Sequence, residues 1–323
     1  MPAADHAADL EVRYLDGSEC LDDVLALLDR AETAAGVPLL DESEHERLRA
    51  LATEGQRSSA WGSVLLRRDG RALAYGGVAV TDDGRAQGDL ALDRSVADVE
   101  VVTATGLAAL HDLAAARGAS AVQVWMRAAG AAEIAAGQQA GFVLERRLGV
   151  LGRDLPATDV PPAAAEALAR LEAGGTRVRS FEPGGDDVEV VAVLAAAYEG
   201  TGDGGWDLAR FEDRQRLPWF RAEDLLVAED EDGHLAGLHW LKRRDARSGE
   251  VYNLAVHPRA QGRSVGPALL YAGLEHLADI GCSEAILWVD RDNDRAVRLY
   301  ERYGFTTRWD DVAFGREVTS TST

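Results

Sequence analysis

Apolar residues recur every three or four positions across residues 22–34 and 187–199, and this spacing predicts an amphipathic helix at each. Residues 63–68 with 72–80, and Leu225–Glu229 with 235–242, are short apolar runs broken by Asp69-Gly70 and Asp232-Gly233; each pair predicts a β-hairpin. A second rhythm then appears in both halves of the chain. Helix 106–117, strand Ala121–Met126, helix 131–140 and the pair Gly141-Phe142 are followed by a last strand. Helix 267–280, strand 284–289, helix 294–303 and Gly304-Phe305 repeat that order. Gly304 lies 163 positions after Gly141, and the same offset joins Trp125 to Trp288 and Gly118 to Gly281 without a gap. Shared order and shared anchors predict a duplicated unit.

Between the copies, Leu155-Pro-Ala-Thr-Asp-Val-Pro-Pro162 reads as a stiff linker, with a short alanine-rich helix at 163–173. The expected division is therefore 1–154 for the first copy, 155–174 for the linker, 175–318 for the second copy and 319–323 for a disordered tail. A chain of 323 residues suits two domains of ordinary size. The expected fold class is α/β (α+β), each copy a mixed, mostly antiparallel sheet flanked by helices.

Composition narrows the function. No run of 18 or more apolar residues and no basic-then-apolar start occurs, so a cytoplasmic, soluble protein with no membrane partner is expected. Asp and Glu number 55 against 34 Lys and Arg, a net charge of −21. Such a field repels nucleic acid and suits an amine-bearing substrate. Cys20 and Cys282 lie far apart and match no metal-ligand spacing; ordinary reduced thiols and no metal are expected. Against the acidic background, Arg259, Arg263, Arg291, Arg295, Arg298 and Arg302 crowd one stretch of the second copy.

That stretch carries the chemistry. Strand 250–256 runs into Gln261-Gly-Arg-Ser-Val-Gly266, and Pro267 then opens a helix at a position where its missing N–H costs nothing. Loop N–H groups and the positive end of a helix macrodipole make a cradle for a pyrophosphate. Asn293 suits the cap of the next helix, and Tyr300 lies seven residues further, on roughly the same helical face. Tyr303 is the competing phenol, but it aligns with Ala140 of the other copy.

Order and spacing over roughly residues 225–314 resemble the GNAT acetyltransferase superfamily. The resemblance implies acetyl-CoA as co-substrate. Strand 250–256 would splay from its neighbour, so that backbone groups of Leu254, Ala255 and Val256 meet the acetyl carbonyl and pantetheine. Gln261, Gly262, Arg263, Ser264, Val265, Gly266 and Pro267 would hold the pyrophosphate, with Asn293, Arg295 and Arg298 beside it. Ser264 stands where the superfamily's signature has its first glycine, a change expected to weaken the cradle or shift the loop, unless its hydroxyl donates to a phosphate. Tyr300 would protonate the departing thiolate, and Glu250 would take the proton of the acceptor's ammonium, directly or through water. Lys242, ending the preceding strand, would face the same substrate.

The first copy lacks this equipment. At the 163-residue offset Tyr300 meets Gly137, Asn293 meets Gly130 and Glu250 meets Gln87, while Gln261, Arg263 and Gly266 meet Asp98, Glu100 and Thr103. Carboxylates where a phosphate would sit repel it, so a non-catalytic first copy is expected, walling the site or acting as scaffold.

Nearly the full chain is similar to the mycothiol synthase family: Leu238-His-Trp-Leu-Lys242, Gly249-Glu-Val-Tyr252, His257-Pro-Arg-Ala-Gln-Gly262, Asp292-Asn-Asp-Arg-Ala-Val-Arg298, and Gly204-Gly-Trp206 with Pro218-Trp-Phe220. This resemblance implies direct transfer, in a ternary complex, of acetyl to the cysteinyl amine of Cys-GlcN-Ins, with Glu42, Lys242, Glu250 and Trp288 toward that substrate. Trp288 replaces a usual tyrosine, and Gly200-Thr-Gly-Asp203 replaces a usual His-Pro-Glu-Gln. Two other readings stay open: acetylation of another small amine, such as an aminoglycoside or a peptide N-terminus, and a silent acetyl-CoA-binding regulatory protein. A monomer is expected.

Overall fold

A computed structural model of the chain describes residues 9–15, 19–54, 61–157, 162–201 and 203–318; the tail expected at 319–323 lies outside them. Along the chain run β1 (Glu11–Leu15), α1 (Leu21–Ala35), α2 (Glu42–Glu54), β2 (Trp61–Arg68), β3 (Arg71–Val80), β4 (Ala86–Leu92), α3 (Val99–Ala116), β5 (Ala121–Met126), α4 (Ala131–Gln139) and β6 (Val143–Asp154). There follow α5 (Pro162–Ala173), β7 (Arg177–Ser180), α6 (Asp187–Ala197), α7 (Leu208–Gln215), β8 (Leu225–Glu229), β9 (Leu235–Arg243), β10 (Ser248–Val256), α8 (Val265–Asp279), β11 (Glu284–Asp290), α9 (Asp294–Arg302) and β12 (Thr306–Glu317). The architecture is α/β, in two tandem copies. The 163-residue offset carries β6 onto β12 and α4 onto α9 end to end, and it also pairs β1 with β7, α2 with α7 and β4 with β10. The early elements thus obey the same ungapped offset as the late ones.

Two compact units form: Met1–Leu148 with Trp309–Thr323, and Gly149–Arg308. The expected boundaries at 154 and 175 differ from these, because the copies exchange their last strands. Residues Val312–Glu317 of β12 pair antiparallel with Ala121–Met126 of β5, in the first unit. The end of β6 lies in the second unit, beside β11. Packing explains the exchange: Phe314 fills the space over Gly137, where an added Cβ would stand 2.6 Å from its ring. Leu151, the residue equivalent to Phe314, is buried with Tyr300 in the second unit. Helix α5, expected in the linker, also belongs to the second unit, burying Ala167 and Leu171 with Val265 and Leu269 of α8.

In the first unit the sheet order is β1-β2-β3-β4-β5-β12. Val64 and Leu66 face α3, while Leu65 faces α1 and α2, as strand alternation requires. The β2–β3 turn has Asp69 at φ 51° and Gly70 at φ 78°, the doubly left-handed geometry that favours Asp-Gly. Among the described residues one helix, α3, is long and apolar enough to cross a membrane, and its Val102, Leu107, Leu110 and Leu113 are core residues.

In the second unit the order is β6-β11-β10-β9-β8-β7. Leu241 and Val251 pack against α8, whereas Leu238, Trp240 and Ala255 pack against α6 and α7. Side chains of Lys242, Glu250 and Tyr252 therefore share the α6–α7 face.

Candidate active site

The site begins where β10 leaves β11. Their parallel ladder joins Ser248–Glu250 to Glu284–Ile286 and stops, although β10 runs to Val256 and β11 to Asp290. On its other edge β10 stays paired with β9, Leu254 opposite His239, Ala255 opposite Leu238 and Val256 opposite Gly237. A register shift between Val251 and Asn253 places a bulge at Tyr252; such bulges bend and re-aim a strand. The β11-facing backbone groups beyond Glu250 are thus released from the ladder toward the opening wedge.

At the wedge's end sits the loop. Gly262 has φ 80° and Ser264 φ 66°. Serine here holds the left-handed conformation that a glycine would adopt without cost. The first helical bond of α8 runs from the Ala268 N–H to the Ser264 carbonyl, so the N–H groups of Val265 and Gly266 precede it and need an outside acceptor. This donor set fits a pyrophosphate. Replacing Ser264 with glycine is expected to stabilise the fold by ~0.5–1 kcal/mol, the relief of ~1–2 kcal/mol of left-handed strain being partly offset by the larger chain entropy that glycine loses on folding. Thermal unfolding would show this as a midpoint rise; a fall would mean that the serine hydroxyl contributes more than its backbone costs.

The arginines divide. Arg295 donates to the Gln261 side chain at 3.1 Å and ties α9 to the loop. Arg298 forms an exposed pair with Asp294, 3.3 Å apart. Arg259 instead donates to the Leu235 carbonyl, and Arg291 to Thr307. Arg295, Arg298 and Arg302 line one groove on α9. Asn293 caps α9, its Oδ1 accepting from the Ala296 N–H at 3.1 Å. Burial raises the Tyr300 phenol well above its ordinary pKa, and its ring meets Phe305 edge-on at 5.7 Å. The Tyr303 hydroxyl donates to the Pro267 carbonyl at 2.8 Å, a structural bond that ties α9 to α8, and burial pushes its pKa up to about 12.

Glu250, 8% exposed, stands opposite Lys242 across β9–β10. Its Oε2 accepts from Arg244 at 3.0 Å, and the Arg244 guanidinium lies 5.0 Å over the Trp288 ring. Sequence reasoning missed Arg244; the signal was the run Lys242-Arg243-Arg244 at a strand end. The three cations diverge: Lys242 lies 4.9 Å over the Trp219 ring, and Arg243 makes a bidentate pair with buried Asp224 at 2.7 and 2.8 Å. Trp219 in turn meets Tyr252 at 4.9 Å, and Trp206, Phe211 and Phe220 pack on Trp240. The Gly204–Phe220 stretch thus supplies the aromatic layer beneath Lys242 and Tyr252.

Among the described residues, the first unit's counterparts are differently engaged. Asp98, at the N-cap of α3, is held bidentately by Arg68 at 2.9 and 2.6 Å. Glu100 is exposed and Thr103 fully buried. Gln87 points to solvent, and Gly130 caps α4 through its N–H to Glu133. Glu42 is the exposed first residue of α2; the buried acid there is Glu44, accepting from Tyr75 at 3.0 Å and Trp61 at 3.2 Å.

Asp89, the repeat counterpart of Tyr252, is buried, and desolvation raises its pKa to about 7, with Asp41 and Glu44 adding to the rise and Arg127 opposing it. Arg127 lies 3.9 Å from Asp89 and 3.6 Å from Asp311. A carboxyl whose folded pKa exceeds its unfolded value is stabilising only while protonated, so stability falls as pH rises from about 4 to about 7. Asp89→Asn is therefore expected to stabilise the protein at pH 8 by ~2–4 kcal/mol and to leave it nearly unchanged at pH 4. Denaturant midpoints at the two pH values test this, and an equal effect at both would reject it.

Tyr300 packs in the core beside α8, with Leu270 and Leu287, so the structure brings Glu250 to the wedge and leaves the phenol in the packing beside it. A wedge between parallel strands, with a carboxylate at its mouth and an N–H cradle at a helix start, is the arrangement of the GNAT class of N-acetyltransferases. The model of the acetyltransferase (GNAT) family matches residues 192–305. Curated relatives extend the match to nearly the whole chain: a mycothiol acetyltransferase of Streptomyces griseus is 35% identical over 95% of this chain and 96% of its own. One of Actinosynnema mirum is 36% identical over 90% and 93%. The chain belongs to the mycothiol acetyltransferase family. Among solved structures, a GCN5-related N-acetyltransferase of Sphaerobacter thermophilus shares the fold with a TM-score of 0.66 and 21% identity, covering 96% of each chain. A tandem GNAT protein of the clavulanic acid pathway does so with a TM-score of 0.64 and 17% identity, over 97% of this chain and all of its own.

Proposed function

We propose that the second unit transfers acetyl from acetyl-CoA to a primary amine directly, in a ternary complex, and that the acceptor is the cysteinyl amine of Cys-GlcN-Ins. The observation that carries the reading is the release of β10 from β11 immediately after Glu250. It presents open backbone groups, an anion cradle and a carboxylate along one line.

Val265 and Gly266 N–H groups, with Arg263 and Arg295 nearby, hold the pyrophosphate; backbone groups of Leu254, Ala255 and Val256 orient the pantetheine and polarise the thioester carbonyl. Glu250 takes a proton from the acceptor ammonium. The amine nitrogen then bonds to the carbonyl carbon, and the C–S bond breaks as the tetrahedral centre collapses; Tyr300 gives its proton to the leaving sulfur, and the second proton shed by the nitrogen as it becomes an amide restores the phenol. Oriented donors at the developing oxyanion make the largest contribution to lowering the barrier. Lys242 and Trp288 face the acceptor. Support for the specific acceptor comes from the full-length similarity to mycothiol acetyltransferases.

The test measures CoA thiol release with Cys-GlcN-Ins against aminoglycosides and peptide N-termini. The expected result is a kcat/KM for Cys-GlcN-Ins at least tenfold above the rest. A higher value for another amine replaces the acceptor, and no turnover with any amine leaves a silent binder. Calorimetric titration with acetyl-CoA is expected to give one site per chain, since Arg68 and Asp98 close the first unit's counterpart; two tight sites would reject that.

A further inference from the structure

We infer that Arg244 is a positioning residue for acetyl transfer: it holds the Glu250 carboxylate ionised and aimed, and yields it to the incoming ammonium. The inference rests on the reading of Glu250 as the base. Arg244 leaves the end of β9 in a loop closed by its own N–H donating to the Ser248 carbonyl at 3.0 Å. From there Nη1 reaches Glu250 at 3.0 Å, while the guanidinium carbon lies 5.0 Å from the centre of the Trp288 ring. Trp288 belongs to the part of β11 that has already parted from β10. Arg244 therefore spans the mouth of the wedge, with its carboxylate partner on one strand and its aromatic support on the other.

Chemistry makes this contact more than a surface ion pair. Guanidinium does not give up its proton near neutral pH, so Arg244 cannot serve as the base; it can only set the state of the base. An opposite charge at this distance favours the ionised carboxylate. A base that is already ionised when the acceptor arrives can receive an ammonium, whose charge replaces that of the guanidinium. Arg244 is about one-third exposed, so the guanidinium can swing out to solvent, while the Glu250 carboxylate, about one-tenth exposed, keeps a counter-charge only because the ammonium takes its place. Other groups face Glu250: Lys242 opposite it on β9, Ile286 opposite it on β11, and Tyr252 two residues along β10. Arg243 is committed to Asp224, and Asp245 accepts the Arg247 and Ser248 N–H groups.

The test reads Glu250 directly, by carbon-13 NMR titration of protein labelled at glutamate carboxyls, its resonance assigned by its loss in Glu250→Gln. Arg244→Gln is expected to raise the Glu250 midpoint by about half a unit to one unit, a partly exposed pair giving the low end of the usual shift. Arg244→Lys keeps the charge and should leave the midpoint near its original value, while losing the planar fork that meets both Glu250 and the Trp288 ring and lowering kcat several-fold. In the kinetics, the acid limb of kcat/KM for the acceptor should follow the NMR midpoint, with KM for acetyl-CoA unchanged. In the Glu250→Gln protein, Arg244→Gln should move no limb. An unmoved midpoint overturns the inference, as does a limb shift that persists without Glu250. A moved midpoint in a protein that acetylates no amine instead rejects the proposed function and leaves the hold of Arg244 on Glu250 standing. Matching unfolding midpoints confirm that the variants are folded.

Discussion

Replacing Tyr300 with phenylalanine is expected to lower kcat by ~10², the lower end of the range for losing a general acid. The lower end applies because a thiol of pKa about 8.5 yields a thiolate that leaves tolerably well unprotonated. The fold should survive: the ring is 8% exposed and packs edge-on against Phe305, contacts that phenylalanine keeps. Burial raises the phenol's pKa, so the proton needed for donation is present throughout the neutral range. An alkaline limb in the kcat profile between pH 7 and 10 therefore belongs to another group. Acetyl-CoA affinity should barely change, because in the proposed mechanism its anionic end belongs to the loop at the start of α8 and Tyr300 has no part in holding it. Steady-state turnover at saturating substrates decides; undiminished kcat would remove Tyr300 from the mechanism and return attention to how the thiolate is solvated.

Replacing Glu250 with glutamine is expected to cost roughly 10² in kcat/KM for the acceptor at pH 7 and much less at pH 9. An α-amino group titrates near pH 7.7–8.0, so about a tenth or slightly more is free base at pH 7 and nearly all of it at pH 9. As free amine accumulates, the missing base matters less. Glutamine is close in size and can still accept from Arg244, which preserves the local packing. A rate loss of the same size at every pH would indicate that Glu250 binds the acceptor without taking its proton.

Much of this protein was written in local pattern. Helical and strand periods, Asp-Gly turns, and a Gly-Phe pair repeated 163 positions apart specified the duplicated α/β unit, because each depends on neighbours within a few residues or on simple alignment. The anion cradle was equally legible, since loop, proline and helix follow one another in the chain. So was the loss of equipment in the first copy, where Gly137 and Asp98 replace a tyrosine and a glutamine.

Tertiary structure alone decided the rest. The last strands change places because Phe314 fits over Gly137, a contact between residues far apart in sequence that no local period encodes. Ser264 takes a left-handed backbone, φ 66°, which composition cannot reveal. Arg244, rather than its two cationic neighbours, is the arginine set between Glu250 and Trp288, because strand alternation and a closed loop send three consecutive side chains in three directions. Sequence determines which charges are available; the divergence of two strands after Glu250 determines which of them meet.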